Sequence, residues 1–183
     1  MILENMSEYR EYLPGVFDEL GFSGGFEAVD NNIHLNIIPS DNQNTPTKEQ
    51  VLETLKELTL KKKKQELEAQ INAICKEKIL KEFKSEALGS LHAYDLTLED
   101  QANLQALVIE GIDSVFRCAE ISNGVAGFKT YKKHTKAQLL KLSQEALKFK
   151  SDLILFYGRE KERLQAVTSL EALEKFQIKE YLT

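Results

Sequence analysis

Apolar residues recur at helical spacing along a segment of the chain that contains no proline or glycine. This segment lies between Thr47 and Gly89, and Gln50 stands three residues after Thr47, as in a helix-capping box. The apolar positions of its second half fall four apart, at Leu67, Ile71, Cys75, Ile79, Phe83 and Ala87. Positions four apart lie on one face of a helix. The pattern therefore predicts one long helix over residues 46–89, which must pack against another element to be stable.

A second helical pattern, closer to the C-terminus, has the spacing of a heptad repeat. Thr135 is suited to cap its start, and apolar residues then follow at alternating steps of three and four. These positions are Leu139, Leu142, Ala146, Phe149, Leu153 and Phe156. A second row, seven residues apart, lies beside them at Leu140, Leu147 and Ile154. Such spacing is typical of a helix that packs along another helix, so the first set is predicted to form a partner-binding or core stripe.

Residues 90–183 are predicted to form a helix, a β-hairpin, this long helix and a short C-terminal helix. Thr97, with Asp100 three residues later, marks the start of the first helix. Strand-like segments at 115–121 and 125–131 flank Ser122-Asn123-Gly124. Because Asn and Gly tolerate the positive φ of a tight turn, these three residues are expected to form the hairpin turn.

The pattern of apolar and polar residues in the N-terminal residues 1–45 differs from the helical patterns of the rest of the chain. Ile33, Leu35 and Ile37 alternate with polar residues, as in a strand with one buried face. The segment GFSGG at 21–25 is expected to be a plain turn, and the polar residues 40–47 a linker. We interpret residues 1–45 as a small β-containing cap.

These patterns together predict a mainly α fold. It would consist of long amphipathic, coiled-coil-like helices with one small β-hairpin and the small β-containing N-terminal cap. The predicted regions are 1–45 for the cap, 46–89 for the first long helix and 90–183 for the remaining elements.

Composition and charge exclude several classes of protein. The net charge of −5 argues against nucleic acid as the main partner, because phosphate binding needs a concentrated basic face. No apolar run is long enough to cross a membrane, and the N-terminal residues do not have the pattern of a secretory signal. Cys75 and Cys118 lie far apart in unlike contexts, so free thiols are expected rather than a disulfide or a metal site.

Candidate catalytic and binding residues give no consistent site. His34, His92 and His134 have no second ligand at metal-binding spacing and are interpreted as surface or capping residues. The glycines at 24 and 25 lack the lysine of a phosphate-binding loop. Glutamates flank the lysine run 61–64, which favours a solvated helix face over a site for an acidic partner. We therefore predict no catalytic, metal-binding or cofactor-binding residues, and no enzyme activity.

A more specific pattern spans about residues 63–178. A charged helix is followed by DLTLEDQANLQAL at 95–107 and by ISNGVAGF at 121–128, which contains the Asn-Gly turn. TKAQLLKLSQEALKF at 135–149 and TSLEALEKFQI at 168–178 complete the order. This order resembles a domain of uncharacterised function found in phage tail-fibre and tail-assembly proteins. The chain has Phe116 before the hairpin, where members of that family often have Trp.

The resemblance implies a non-enzymatic phage or prophage tail-associated protein that acts through helix packing. It would be a component of the tail-fibre region or a helper in its assembly, located in the cytoplasm of a bacterial host or incorporated in the virion tail. The expected partners are further copies of the chain, as a dimer or trimer, and a tail-fibre protein; nucleic acid and membrane are not expected. The alternatives are a helical adaptor module unrelated to phage and an enzyme with an unrecognised site.

Overall fold

The computed structural model describes residues 1–38 and 44–181, which form two compact units. Unit 1 comprises Met1–Glu68 and Arg163–Gln177, and unit 2 comprises Ala69–Glu162 and the residues from Ile178 onwards. The described residues are 54% helical and 22% strand, and they form two sheets. The predicted mainly α, coiled-coil-like fold is therefore wrong, because each unit contains a β-sheet. Half of the predicted linker, residues 40–43, lies outside the described residues.

Unit 1 begins with a three-stranded antiparallel sheet. Its strands are β1 (Ile2–Leu3), β2 (Ser23–Val29) and β3 (Asn32–Ile38), in the order β1-β3-β2. A 3-10 helix (Ser7–Tyr12) and helix α1 (Leu13–Leu20) connect β1 to β2. The alternation at Ile33 and Leu35 thus lies in a strand, and both side chains are buried.

Residues 23–25 of the GFSGG segment lie in β2, so their prediction as a plain turn is wrong, whereas Gly21, which ends α1 with a φ of 68°, lies in a turn. Gly24 lies so close to β3 that a Cβ atom on it would stand 2.1 Å from the carbonyl oxygen of Asn36. The turn lies instead between Val29 and Asn32, which pair with each other, and Asp30 within it has a φ of 53°. Gly24 is needed because the backbones of β2 and β3 approach closely at this position. Turns also favour glycine, so the glycine content of the segment does not distinguish a turn from a close strand pair.

Four further helices follow along the described chain. They are α2 (Lys48–Leu80), α3 (Leu98–Glu110), α4 (Lys136–Gln165) and α5 (Leu170–Glu174). The Thr47–Gln50 capping box is confirmed, since the Gln50 backbone N–H donates to the Thr47 hydroxyl at 3.2 Å and the Thr47 N–H donates to the Gln50 side chain at 2.9 Å. The core of unit 1 contains Leu3, Leu13, Val16, Ile33, Leu35, Val51 and Leu55, with Leu170 of α5 packed against it.

Unit 2 contains a curled five-stranded sheet that forms a half-barrel. Its strands are β4 (Phe83–Ser85), β5 (His92–Tyr94), β6 (Ser114–Ser122), β7 (Val125–Ala126) and β8 (Thr130–His134). The strand order is β4-β5-β6-β7, and β8 also pairs with β6. Every pairing is antiparallel, and β6 is the central strand.

The first long helix is shorter than predicted, because it ends at Leu80 and not near residue 89. Phe83 and Ser85 are buried in β4, where residues two apart share a face. Phe83 fits the helical row because it lies four residues after Ile79. In the structure it is the first residue of β4. Gly89, expected to end the helix, has a φ of 90° after β4.

The predicted hairpin strand 125–131 is divided into two short strands. Residues 127–129 separate β7 from β8, and there Lys129 forms ion pairs with Glu82, at 2.7 Å, and with Asp95. Because Glu82 precedes β4 and Asp95 follows β5, these ion pairs link three segments of the sheet.

Helices α3 and α4 contribute to the core of unit 2 together with the sheet. The core consists of Phe83, Ala87, Tyr94, Leu96, Leu104, Phe116, Cys118, Leu139, Leu142 and Ala146. Thr97 and Asp100 form the expected capping box at the start of α3, and the side chains of Thr135 and Gln138 cap α4 in the same way. Cys75 and Cys118 are both free thiols.

Candidate interaction surface on helix α4

The heptad stripe of α4 faces the interior of unit 2. Leu139, Leu142, Ala146 and Leu153 are buried, and Phe149 is half-buried, stacked on Phe83 with their ring centroids 5.9 Å apart. Phe156, the last residue of the stripe, contacts the rings of Tyr157 and Tyr181. Of the two roles that the spacing allowed, the structure therefore places these side chains in the core rather than on a partner-binding surface.

The second apolar row of α4 lies on the outside. Leu140, Leu147 and Ile154 are 47%, 65% and 50% exposed, and we call these three residues the outer row. A single exposed leucine is ordinary in a protein surface. These three aliphatic side chains are seven residues apart and therefore lie on one helix face about two turns from each other, a spacing that also occurs where a helix packs on another helix.

A shallow groove lies beside the central residue of the outer row. Near Leu147 it is lined by residues of α3 and α4 and has a volume of about 310 Å³. The lining residues are Leu96, Gln101, Leu104, Gln105, Ser143, Ala146, Leu147 and Lys150. Gln101 donates to the carbonyl of Leu96 at 2.9 Å and accepts from Lys150 at 3.1 Å. These two bonds hold Lys150 at the edge of the groove, so that a charged group lies beside an apolar stripe.

The Ser122-Asn123-Gly124 segment lies at the end of β6. Ser122 pairs with Val125, and Asn123 and Gly124 between them have φ values of 50° and 79°. Both values are positive, as expected for a two-residue turn of the primed type. Phe128, a few residues later, is 98% exposed.

The sheet of unit 2 holds a cluster of polar side chains that the sequence did not indicate. His92 and His134 are 3% and 1% exposed, so their interpretation as surface or capping residues is wrong, whereas His34 is exposed. The hydroxyl of Tyr94 lies 3.0 Å from Nε2 of His134, and Nζ of Lys132 lies 3.0 Å from Nε2 of His92. The only sequence signal was the two-residue spacing within each short strand, which places His92 beside Tyr94 and Lys132 beside His134 on one face.

The hydrogen bonds of the two histidines assign the same tautomer to both. Nδ1 of His92 lies 2.8 Å from the carbonyl of Ser90, and Nδ1 of His134 lies 2.8 Å from the carbonyl of Lys132. Because a carbonyl can only accept, each Nδ1 carries the proton and each Nε2 accepts. Tyr94 therefore donates to His134, and Lys132 donates to His92.

Burial determines the protonation states in this cluster. Burial lowers the pKa of His134, with a smaller opposing effect from its bond to the Lys132 carbonyl, so the neutral imidazole is favoured. Burial also raises the pKa of the Cys118 thiol and that of Tyr94. The His134 imidazole, the Cys118 thiol and the Tyr94 hydroxyl are therefore neutral, and the Lys132–Glu120 ion pair lies at the exposed edge of the cluster.

Three observations bear on other kinds of site. Within residues 1–38 and 44–181, no group of three or more His, Cys, Asp or Glu side chains could hold a metal ion. None of the helices in the described part of the chain combines the length and the apolar character needed to cross a membrane. Comparison with protein-family models, with curated proteins and with solved structures gives no match to this chain.

Proposed function

We propose that this chain is a non-enzymatic phage or prophage tail-associated protein that binds a tail-fibre protein through the outer row of α4. It acts either as a component of the tail-fibre region, incorporated in the virion tail, or as an assembly helper in the cytoplasm of the bacterial host. The observation that carries the proposal is that the residues of the tail-protein resemblance cap helices, form the turn and fill the core. Residues with these roles hold the fold of unit 2 together, and the fold in turn presents the outer row of α4 to a partner.

The segment 95–107 illustrates this scaffold role. Thr97 and Asp100 cap α3, and Leu104 lies in the core of unit 2. Gln101 joins the segment before α3 to Lys150 of α4 through two hydrogen bonds. Leu104 and Gln101 therefore fix the position of α3 beside α4, where the groove next to Leu147 is formed.

The remaining motif segments have comparable roles. Asn123 and Gly124 form the turn after β6, and Leu139 and Leu142 are buried on the inner face of α4. The Ser169 hydroxyl accepts from the backbone N–H of Ala172 at 3.2 Å at the start of α5. Since the inner face of α4 is used for the core, the exposed outer row is the part of this helix that we propose contacts the partner.

Affinity capture tests the proposal directly. We expect the tagged chain, expressed in phage-induced bacteria, to retain a tail-fibre protein encoded by the same phage, identified by mass spectrometry. Leu147→Asp should abolish this capture, because it places a charge in the middle of an apolar contact. Lys148→Asp, at the neighbouring exposed position of α4, is the control and should retain the partner.

Two results would contradict the proposal. Capture of host proteins alone would favour an adaptor unrelated to phage. Capture of the fibre protein that survives Leu147→Asp, with the variant folded by circular dichroism, would show that the contact lies elsewhere on the molecule.

A further inference from the structure

Strand β2 is an edge of the sheet in unit 1. Within the described residues it pairs with β3 alone, and its seven residues are all exposed or half-buried. In an antiparallel pair, the N–H and C=O groups of alternate residues point away from the partner strand. No backbone hydrogen bond outside the β2–β3 ladder joins β2 to another described residue. Alternate residues of β2 therefore present backbone donors and acceptors in the arrangement that a further strand requires.

The other edge strands of the described chain are protected in ways that β2 is not. Strands β1, β4 and β7 have only two or three residues each, and β8, with five, contains Lys132 and Lys133. Short strands and edge lysines are common features that prevent an edge from pairing with another chain. Strand β2 has seven residues, contains neither lysine nor proline, and pairs one-to-one from Ser23 to Val29 without a bulge. It is therefore the edge best suited to strand addition.

The core-facing side of β2 is incompletely covered. Phe26 stands opposite Leu35, which is 5% exposed, and its ring centroid lies 6.3 Å from that of Phe17. Phe26 itself is nevertheless 39% exposed. Gly24, the preceding residue on the same face, has no side chain that could cover it. A strand beside β2 would place an aliphatic side chain against Phe26 and extend the core of unit 1.

The opposite side of β2 is acidic. Glu27 lies there, across from His34, and both side chains are exposed. Glu27 forms no ion pair with any described residue. Two β2 strands that paired through their Phe26 side chains would bring two Glu27 carboxylates together diagonally on one face, where like charges repel. The charge of this edge therefore favours a strand with a basic residue over a second copy of β2.

We propose that β2 binds an extended segment of a partner protein, which pairs antiparallel with it as a fourth strand of the unit 1 sheet. The segment has aliphatic residues on the side of Phe26 and a lysine or arginine opposite Glu27. In strand addition, main-chain hydrogen bonds provide affinity and alternate side chains provide specificity. The inference does not depend on the proposed tail function, because Leu147, which tests that function, belongs to unit 2.

Binding of a labelled peptide, acetyl-Thr-Val-Lys-Val-Thr-Val-Thr-amide, to the full chain tests the inference by fluorescence anisotropy. Two further versions of the peptide have N-methyl groups on alternate residues, one version at the odd positions and the other at the even positions. We expect saturable binding of the parent peptide. One methylated version should bind about tenfold or more weaker, because it loses the hydrogen bonds to β2, and the other should bind like the parent peptide.

A charge exchange places the peptide on β2. Glu27→Lys should weaken binding of the parent peptide by roughly two- to tenfold and strengthen binding of a peptide with glutamate in place of its lysine. Glu53→Lys, at an exposed position of α2, makes the same change in net charge and is the control, with little effect on either peptide. Circular dichroism establishes that both variants are folded.

Several results would overturn the proposal. Absence of saturable binding would do so, as would equal effects of the two methylated versions, because binding would then not use a strand edge. Equal effects of Glu27→Lys and Glu53→Lys would show that the peptide binds elsewhere. If saturating peptide lowers the mass of the purified chain in light scattering, the edge is occupied by a second copy of the chain and not by a different protein.

Discussion

Thr59 has a fully buried hydroxyl that lacks a hydrogen-bond partner among the described residues. It lies in the part of α2 that belongs to unit 1. A buried polar atom without a partner loses its hydration and gains nothing in exchange. The apolar spacing along α2 gave no indication of this, because whether a hydroxyl finds a partner depends on side chains distant in sequence.

We therefore predict that Thr59→Val increases the free energy of unfolding by about 1 kcal/mol, since valine has the same shape without the hydroxyl. Urea denaturation would measure the change. Thr54→Val, at a half-buried position of the same helix, is the control and should change stability less. A destabilised Thr59→Val variant would show that the hydroxyl does have a partner in solution.

His134 gives the residue-scale prediction for pH. Burial holds its pKa below the ordinary value of 6.5, so the unfolded chain takes up a proton before the folded chain does. The stability linked to His134 is thus fully present above pH 6.5 and is lost as pH falls from there toward the lowered pKa. Protonation at Nε2 would also remove the acceptor of the Tyr94 hydroxyl.

Urea denaturation at pH 7.5 and 5.5, both chosen to bracket the ordinary histidine pKa, would measure this loss. His134→Gln should lower stability at the higher pH but reduce its dependence on pH, whereas His34→Gln, at an exposed position, should keep the parent's dependence. An unchanged pH dependence in His134→Gln would mean that other groups are responsible.

At the scale of single elements, the sequence correctly predicted features that depend on residues close together in the chain. The capping boxes at Thr47 and Thr97 involve residues three apart, and both form as expected. Strands β4 and β5 are three residues long, and their partners lie elsewhere in the chain. No local pattern distinguishes so short a strand from the end of a helix, which is why Phe83 was placed in the helix.

The turn after β6 provides a prediction at this scale. Gly124 has a φ of 79° and open space around its Cα, so a side chain there would be strained by the backbone and not by a clash. We expect Gly124→Val to lower the free energy of unfolding by about 1–2 kcal/mol. Gly25→Val, in β2, is the control because it also has open space but no positive φ. Equal stability of both variants would show that the turn relaxes without cost.

The ion pairs of Lys129 provide a second prediction at the scale of single elements. Burial disfavours its charge, but the carboxylates of Asp95 and Glu82 more than offset this and raise its pKa. Lys129→Met would leave the two carboxylates without their shared cation, so we expect a loss of stability between the roughly 1 kcal/mol of an exposed pair and the roughly 3 kcal/mol of a buried one. Lys148→Met, which breaks an exposed pair with Asp152, is the control. Equal losses in thermal or urea unfolding would contradict a special role for Lys129.

At the scale of the whole molecule, the sequence misjudged the fold class because helical periodicity is a strong signal and short strands are a weak one. The bounds of α4 were largely predictable from its cap and its heptad spacing, and the strand of unit 1 from its alternation. The assembly of β4, β5, β6 and β8 into one sheet was not, because β5 and β6 are separated by α3. Nor was the buried histidine cluster, which exists only once these strands pair.

The expectation of self-association now depends on a different surface of α4, because the heptad stripe is largely buried. The heptad stripe that suggested a partner is largely covered within unit 2, whereas the outer row of the same helix is exposed. We predict that the purified chain forms a dimer or trimer through Leu140, Leu147 and Ile154. Such a contact buries apolar area, and each fully buried leucine or isoleucine contributes about 1.5–3 kcal/mol.

Light scattering across a hundredfold dilution, roughly 2.7 kcal/mol in association free energy, tests this prediction. We expect a mass above the monomer's 20.8 kDa for the parent chain and for the control Lys148→Asp, and the monomer mass for Leu147→Asp. Because Leu147 is largely exposed, its substitution should leave thermal unfolding of the monomer nearly unchanged. A parent chain that stays at 20.8 kDa throughout would refute self-association and leave the outer row to a different protein. An oligomer that persists in Leu147→Asp would instead place the contact between copies on another surface, such as the exposed Phe128 after β7.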